Sequence, residues 1–221
     1  YWLHHAPHWG FEESRDGFGM TLEQYLRFGG YPGSYGFISD PEKWAHYVRH
    51  SIIEPVLGRD ILSLARVKSA ALFRQCFDIV CSYPAQELSY NKLLGQLQER
   101  GNVEVVKHYL ELFQGAFLMK SLFKATGKPV VTRSSSPKLL PLCPALYSTT
   151  SSADYGDEDY GRAFELAIGA ELSQQPGELF YWRDGTAEVD YVMRHGKRIV
   201  GIEVKWGKKQ ARGLDRFRKA F

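Results

Sequence analysis

Three residues near the C-terminal end have types and spacing suited to phosphoester chemistry: Asp190, Glu203 and Lys205. Glu188–Met193 and Arg198–Lys205 read as two strands joined by Arg194-His195-Gly196-Lys197. A two-residue turn at Gly196-Lys197 pairs His195 with Arg198 and sets Asp190 opposite Glu203. A turn at His195-Gly196 sets Asp190 opposite Gly201 instead, and an even shift still leaves Asp190 and Glu203 on one face. Lys205 joins them by the period of two, with Val204 on the opposite face. Two carboxylates about 4–5 Å apart repel unless a cation stands between them. Mg²⁺ is the usual solution, a hard ion that takes carboxylate oxygens and keeps several waters. Water so polarised can attack a phosphodiester, and a neighbouring lysine can orient it or stabilise the developing charge. A plain cross-strand salt bridge uses the same residue types.

The elements that must position these residues follow from periodicity. Residues 160–175 carry Phe164, Leu166, Ala167, Ala170 and Leu172 at helical spacing. Leu179–Trp182 is a β-type run that ends in the turn Arg183-Asp184-Gly185-Thr186. Residues after Lys208 suit a helix with Leu214, Phe217 and Phe221 on one side. The order here is helix, three strands, helix.

Upstream, Leu72, Phe73, Cys76, Phe77 and Val80 predict a helix near Ser69–Ser82. Tyr90 to Leu97 predicts a second, and Asn102 caps a third with Val103, Val106, Tyr109, Leu110 and Phe113. The apolar run Ala116–Met119, then Gly127-Lys128-Pro129 and Val130-Val131, reads as a hairpin. Three helices followed by a hairpin is the order of a winged helix. Its third helix offers Lys107 and His108 to DNA, but also Glu104 and Glu111, which suits a structural or protein-docking helix better. Residues 134–153 open as a polar loop. Nearer the N-terminus, Gly29–Gly33 is a turn cluster. Asp40-Pro41 starts a helix that Pro55 ends or kinks. His4, His5 and His8 sit close together without an acidic or cysteine ligand at useful spacing.

The 221 residues suit one large domain or two small ones at roughly 100–200 residues each. With 44% hydrophobic and 24% charged residues, wholesale disorder is excluded. No run approaches the roughly 20 apolar residues of a membrane helix, so no membrane partner is expected. Cys76, Cys81 and Cys143 are too few for a disulfide framework and fit reduced thiols in the cytoplasm. The net charge of +3 is unevenly spread: residues 154–190 sum to −8 and residues 194–219 to +8. Two solvated faces account for this, as does a carboxylate metal site beside a phosphate-binding surface. In the second case Lys208, Lys209 and Arg212 join Lys107 as candidate nucleic-acid contacts. The chain begins at Tyr1, which suggests a piece of a longer protein.

Asp190 followed by Glu203-Val204-Lys205 resembles the Asp…(Asp/Glu)-x-Lys signature of the restriction-endonuclease-like fold, and Gly161–Glu165 fits that fold's upstream acidic residue. More closely, the chain resembles the C-terminal region of a prokaryotic AAA-type P-loop ATPase family. The resemblance rests on Gly29–Pro32, Arg59-Asp60, Tyr109-Leu110, Phe164-Glu165, Glu171-Leu172, Tyr181–Arg183, Glu188–Asp190 and Ile202–Lys205. It implies an α+β or α/β architecture: a helical remnant over 1–65 after a missing ATPase domain, a winged helix over 66–133, and a nuclease-like mixed sheet flanked by helices over 134–221. It implies Mg²⁺ at Asp190 and Glu203, with Lys205 and Glu165 as the catalytic pair and DNA as substrate. The alternative is a non-catalytic module that binds nucleic acid or protein. No G-x-x-x-x-G-K-[ST] occurs, so ATP would bind only through an upstream domain. The family's acidic residue near Leu142–Pro144 is replaced by Cys143, and a further strand is expected after the last helix.

Overall fold

The computed structural model describes residue 2 and residues 6–97, 102–126, 136–151, 154–207 and 213–221. Helices α1 (Phe11–Phe18) and α2 (Leu22–Phe28) lead through a 3-10 turn at Pro32–Phe37 into α3 (Pro41–Tyr47). Asp40 caps α3 by accepting the Lys43 N–H at 3.1 Å, with Pro41 in the first turn. Pro55 does not end this helix. The chain continues through π-helical Val48–Ile53 and Val56–Ile61 into α4 (Leu62–Leu64). A proline ring collides with the carbonyl four residues back in a regular helix, and wider turns on either side re-route the bonds it would break. Val48, Ile53, Leu57 and Ile61 are buried in the core and hold the widened turns in place.

The three expected helices follow. They are α5 (Ala70–Ser82), α6 (Tyr90–Gln96) and α7 (Val103–Gly115), with β1 (Gln86–Glu87) between the first two. Ser69, Ser89 and Asn102 cap them, each accepting a backbone N–H three residues on. Strand β2 (Met119–Leu122) comes next, and its antiparallel partner is β3 (Lys138–Pro141), giving the sheet order β1-β3-β2. Periodicity predicts no strand at β3, and Val130-Val131, expected to form that limb, lie outside the described residues along with Gly127–Pro129. All four residues of β3 are buried, so the strand shows no alternation, and Pro137 and Pro141 make it look like a loop.

The burial of β3 organises the molecule. Leu139 packs into one core with Phe73, Phe77, Tyr109 and Phe113, while Leu140 packs into a second core with Leu166, Tyr181 and Tyr191. One sheet is thus the shared wall of two cores. Beyond it lie α8 (Pro144–Ser148), α9 (Asp157–Gln174), β4 (Glu178–Asp184), β5 (Ala187–His195), β6 (Arg198–Ile202) and α10 (Leu214–Ala220). The last three strands form an antiparallel sheet in the order β4-β5-β6. His195 pairs with Arg198 across a turn in which Gly196 has φ 60°, the register expected from the sequence. β6 stops at Ile202, short of the expected Lys205. The Val204 N–H goes to the Asp190 carboxylate at 2.7 Å, not to a strand partner.

Two irregularities matter for the site. Phe180 pairs with Val192 and Trp182 with Val189, so the single residue Tyr181 faces both Asp190 and Tyr191. This bulge breaks the ladder at Asp190. On its other edge Tyr181 pairs with the continuation of β2: its N–H donates to the Phe123 carbonyl at 3.1 Å, and the Ala125 N–H donates to its carbonyl at 2.7 Å. The two sheets are thereby joined.

Because Leu139 and Leu140 are fully buried on opposite faces of one strand, truncating either to alanine should cost about 2–5 kcal/mol. Both variants should still unfold in one cooperative urea transition seen by fluorescence and circular dichroism alike. Two separated transitions for Leu140→Ala would show that the cores are independent.

Candidate functional site

The residues singled out from sequence converge. Lys205 Nζ lies 3.0 Å from Glu203 Oε1 and 3.7 Å from Asp190 Oδ2. Asp190 is buried, and its Oδ2 also accepts the Val204 N–H. Glu203 Oε2 accepts the Gly213 N–H at 3.0 Å, which ties the start of α10 to the site. That tie needs a glycine: a Cβ at Gly213 would stand 1.8 Å from the Glu188 carbonyl oxygen. The gathering arises differently from the strand alternation expected for it. Glu203–Lys205 curl past the end of β6, and the Asp190 side chain captures their backbone.

Glu165 comes from α9, as expected, but its nearest charge was not foreseen. Lys138 Nζ on β3 is 2.7 Å from Glu165 Oε1, 3.7 Å from Glu188 Oε1 and 3.8 Å from Asp190 Oδ1. It also donates to the Asp190 carbonyl at 3.3 Å and lies 5.2 Å from the Tyr191 ring centroid. Asp190 thus stands between two lysines, one at each carboxylate oxygen. Glu188 is shared with Arg183, which reaches on to Glu87 of β1 at 3.0 Å. The only signal of Lys138 in the sequence is a lone lysine opening the apolar stretch Leu139–Leu142.

The electrostatics assign roles. Burial pushes the Glu165 carboxyl up, Lys138 pulls it down, and the charges of Asp190 and Glu188 help leave it above the ordinary range. Burial works against the Lys205 ammonium, but the hydrogen bond to Glu203 and the charge of Asp190 outweigh it and raise its pKa. Lys205 therefore stays protonated; it can orient water or stabilise an anion but cannot accept a proton. Among the described residues, no three His, Cys, Asp or Glu side chains are grouped to hold a metal ion. The Asp190–Glu203 pair nonetheless suits Mg²⁺ by chemistry. Its donors are hard carboxylate oxygens, Mg²⁺ commonly takes only one or two of them, and the pair already gathers a cation in Lys205.

The other candidates are dispersed. Lys107 Nζ pairs with Glu104 at 2.9 Å and sits 5.5 Å from the Tyr90 ring centroid, so Glu104 offsets its charge. Lys208, Lys209 and Arg212 lie outside the described residues, as do His4 and His5. His8 is half-buried: it hydrogen-bonds the Tyr31 hydroxyl at 3.0 Å, and burial lowers its pKa to about 4. Cys76, Cys81 and Cys143 are free and buried. In the loop where the resemblance implies an acid, the Cys143 thiol donates to the Gly29 carbonyl at 3.1 Å, and burial pushes its pKa up to about 12.

The fold and site define a mixed α+β protein in which an acid–lysine cluster joins two units. Residues 20–154 match the family model described as Domain of unknown function (DUF8612), more than half of the chain, and the chain belongs to that family. Residues 160–221 match Domain of unknown function (DUF4143), a domain often found C-terminal to AAA ATPase domains. No curated protein and no solved structure matches the chain. No helix among the described residues is long and apolar enough to cross a membrane. The first match ends between α8 and α9 and the second begins within α9, so Lys138 reaches from the first into three carboxylates of the second.

The lowered pKa of His8 sets a pH dependence. A histidine held neutral by burial contributes stability that is present above the unfolded value of 6.5 and is lost as pH falls toward about 4. His8→Gln should flatten the fall in melting temperature across that window. An unchanged slope would show that His8 protonates freely in the folded chain.

Proposed function

We propose that this chain is the C-terminal region of an AAA-type ATPase, with a winged-helix unit leading into a restriction-endonuclease-like unit, and that its acid–lysine site serves Mg²⁺-dependent hydrolysis of DNA phosphodiesters. The observation that carries this is the convergence of Asp190, Glu203 and Lys205, read from the sequence as one signature, at the end of β6. The helix, strand, helix, helix, strand, strand order with sheet order β1-β3-β2 supports the winged helix.

In this reading Asp190 and Glu203 would hold the ion, which would supply a polarised water at neutral pH. Asp190 fixes the approach of Glu203-Val204-Lys205 by holding the Val204 N–H. Glu203 fixes the start of α10 by accepting the Gly213 N–H. Lys205, protonated and partly exposed, meets the scissile phosphate and the water.

A second reading, a non-catalytic module coupling the ATPase to DNA or a protein, is favoured by the ties between the two units. Lys138, Arg183 and the Tyr181 bridge each cross from one to the other. Structural networks of this kind also perturb pKa values.

The two readings separate on the full-length protein with its ATPase region. Asp190→Ala should abolish Mg²⁺ binding and DNA cleavage, whereas Lys205→Ala should spare Mg²⁺ binding and lower the cleavage rate by about 10²–10³. Wild-type protein that neither binds Mg²⁺ nor cleaves would leave the coupling reading. In that case DNA affinity that falls steeply from about 50 to 200 mM salt would identify nucleic acid as the partner.

A further inference from the structure

We propose that Lys138 is a built-in counter-cation of the carboxylate cluster, which competes with a divalent ion for Glu165 and Asp190 and holds the site closed to metal while it is in place. The proposal rests on the metal-binding reading of the site and adds a control that this reading does not contain.

Lys138 is 1% exposed, the most deeply buried charge in the molecule's described core. A buried ammonium persists only with strong partners. Lys138 has carboxylate oxygens from Glu165, Glu188 and Asp190 at 2.7, 3.7 and 3.8 Å, a carbonyl oxygen from Asp190 at 3.3 Å, and the face of Tyr191. That is an oxygen shell of the kind a hard cation takes, filled by the chain itself. A divalent ion drawing on Glu165 together with Asp190 would have to stand where the ammonium stands. One held by Asp190 and Glu203 would share a carboxylate with it and feel its repulsion at close range.

The Cα of Lys138 is fixed in the ladder opposite Glu87 on one side and Leu122 on the other. Movement of β3 away from α9 and β5 would carry the ammonium out of the cluster. Metal uptake is thereby linked to how the two units sit against each other, and a partner or nucleotide state that separates them would open the site.

The test is Mn²⁺ binding to the protein, followed by electron paramagnetic resonance, with melting temperature and circular dichroism in parallel. Lys138→Met keeps the apolar stem and removes the charge. The double variant Lys138→Met with Glu165→Gln removes the ion pair together and guards against misfolding from an unpaired carboxylate. Lys138→Met should bind Mn²⁺ at least tenfold tighter than wild type, and Mn²⁺ should raise its melting temperature more. The double variant should also bind more tightly than wild type through Asp190 and Glu203. Equal affinity in wild type and both variants would overturn the competition while leaving the metal site standing. Folded variants and wild type that all fail to bind Mn²⁺ would overturn the metal reading as well. Failure of both variants to fold at any Mn²⁺ concentration would also overturn the proposal, since an ion in the ammonium's place would restore the charge balance.

Discussion

A single buried ammonium sets the terms for everything around it. Lys138 is desolvated, and that cost is offset only because α9 and β5 bring Glu165, Glu188 and Asp190 to it at once. The dependence runs both ways. Without Lys138, three carboxylates would share one poorly solvated space and repel one another. The position of α9 against the first sheet, the bulge that frees the Asp190 carbonyl, and the packing of Tyr191 beneath the ammonium are parts of one electrostatic arrangement. Tyr191 adds a hydrogen bond to the Glu165 carbonyl at 2.8 Å and fits against Gly169, where a Cβ would stand 2.3 Å from its hydroxyl oxygen.

Much of this was legible before the structure. Helices α5, α6 and α7 carry apolar residues at helical spacing, and at α7 the Asn102 cap agrees with that periodicity. The hairpin of β5 and β6 has its register set by Gly196, and that register brings Asp190 to Glu203. Local rules suffice wherever an element has one buried face and a recognisable end. They also placed Asp190, Glu203 and Lys205 together, though by alternation and not by the curl the structure shows, while Glu165 rested on the family resemblance.

What was not legible depends on long-range contact. β3 is buried on both faces because a core lies on each side of it, and no local pattern reports the second core. Lys138 was missed for the same reason: a lysine beside a proline reads as a loop residue until three carboxylates, 27, 50 and 52 residues further on, are folded around it. The curl of Glu203–Lys205 away from the strand follows from a side chain that captures a backbone N–H, which alternation cannot anticipate. Pro55 shows the second of the two outcomes its signal allows: the helix does not end there but widens on either side, held by tertiary packing.

The pairing of Tyr181 with Phe123–Ala125 has a mechanical consequence. Two hydrogen bonds between parallel backbones leave little play between the stem of the first hairpin and β4. The Tyr181 hydroxyl, which donates to the Ser136 carbonyl at 2.8 Å, grips the returning limb of that stem. Both limbs are thus riveted to the same residue, the one that faces Asp190 across the bulge. A displacement of either limb is carried to Tyr181, and from there to the strand that bears the carboxylate at the centre of the site.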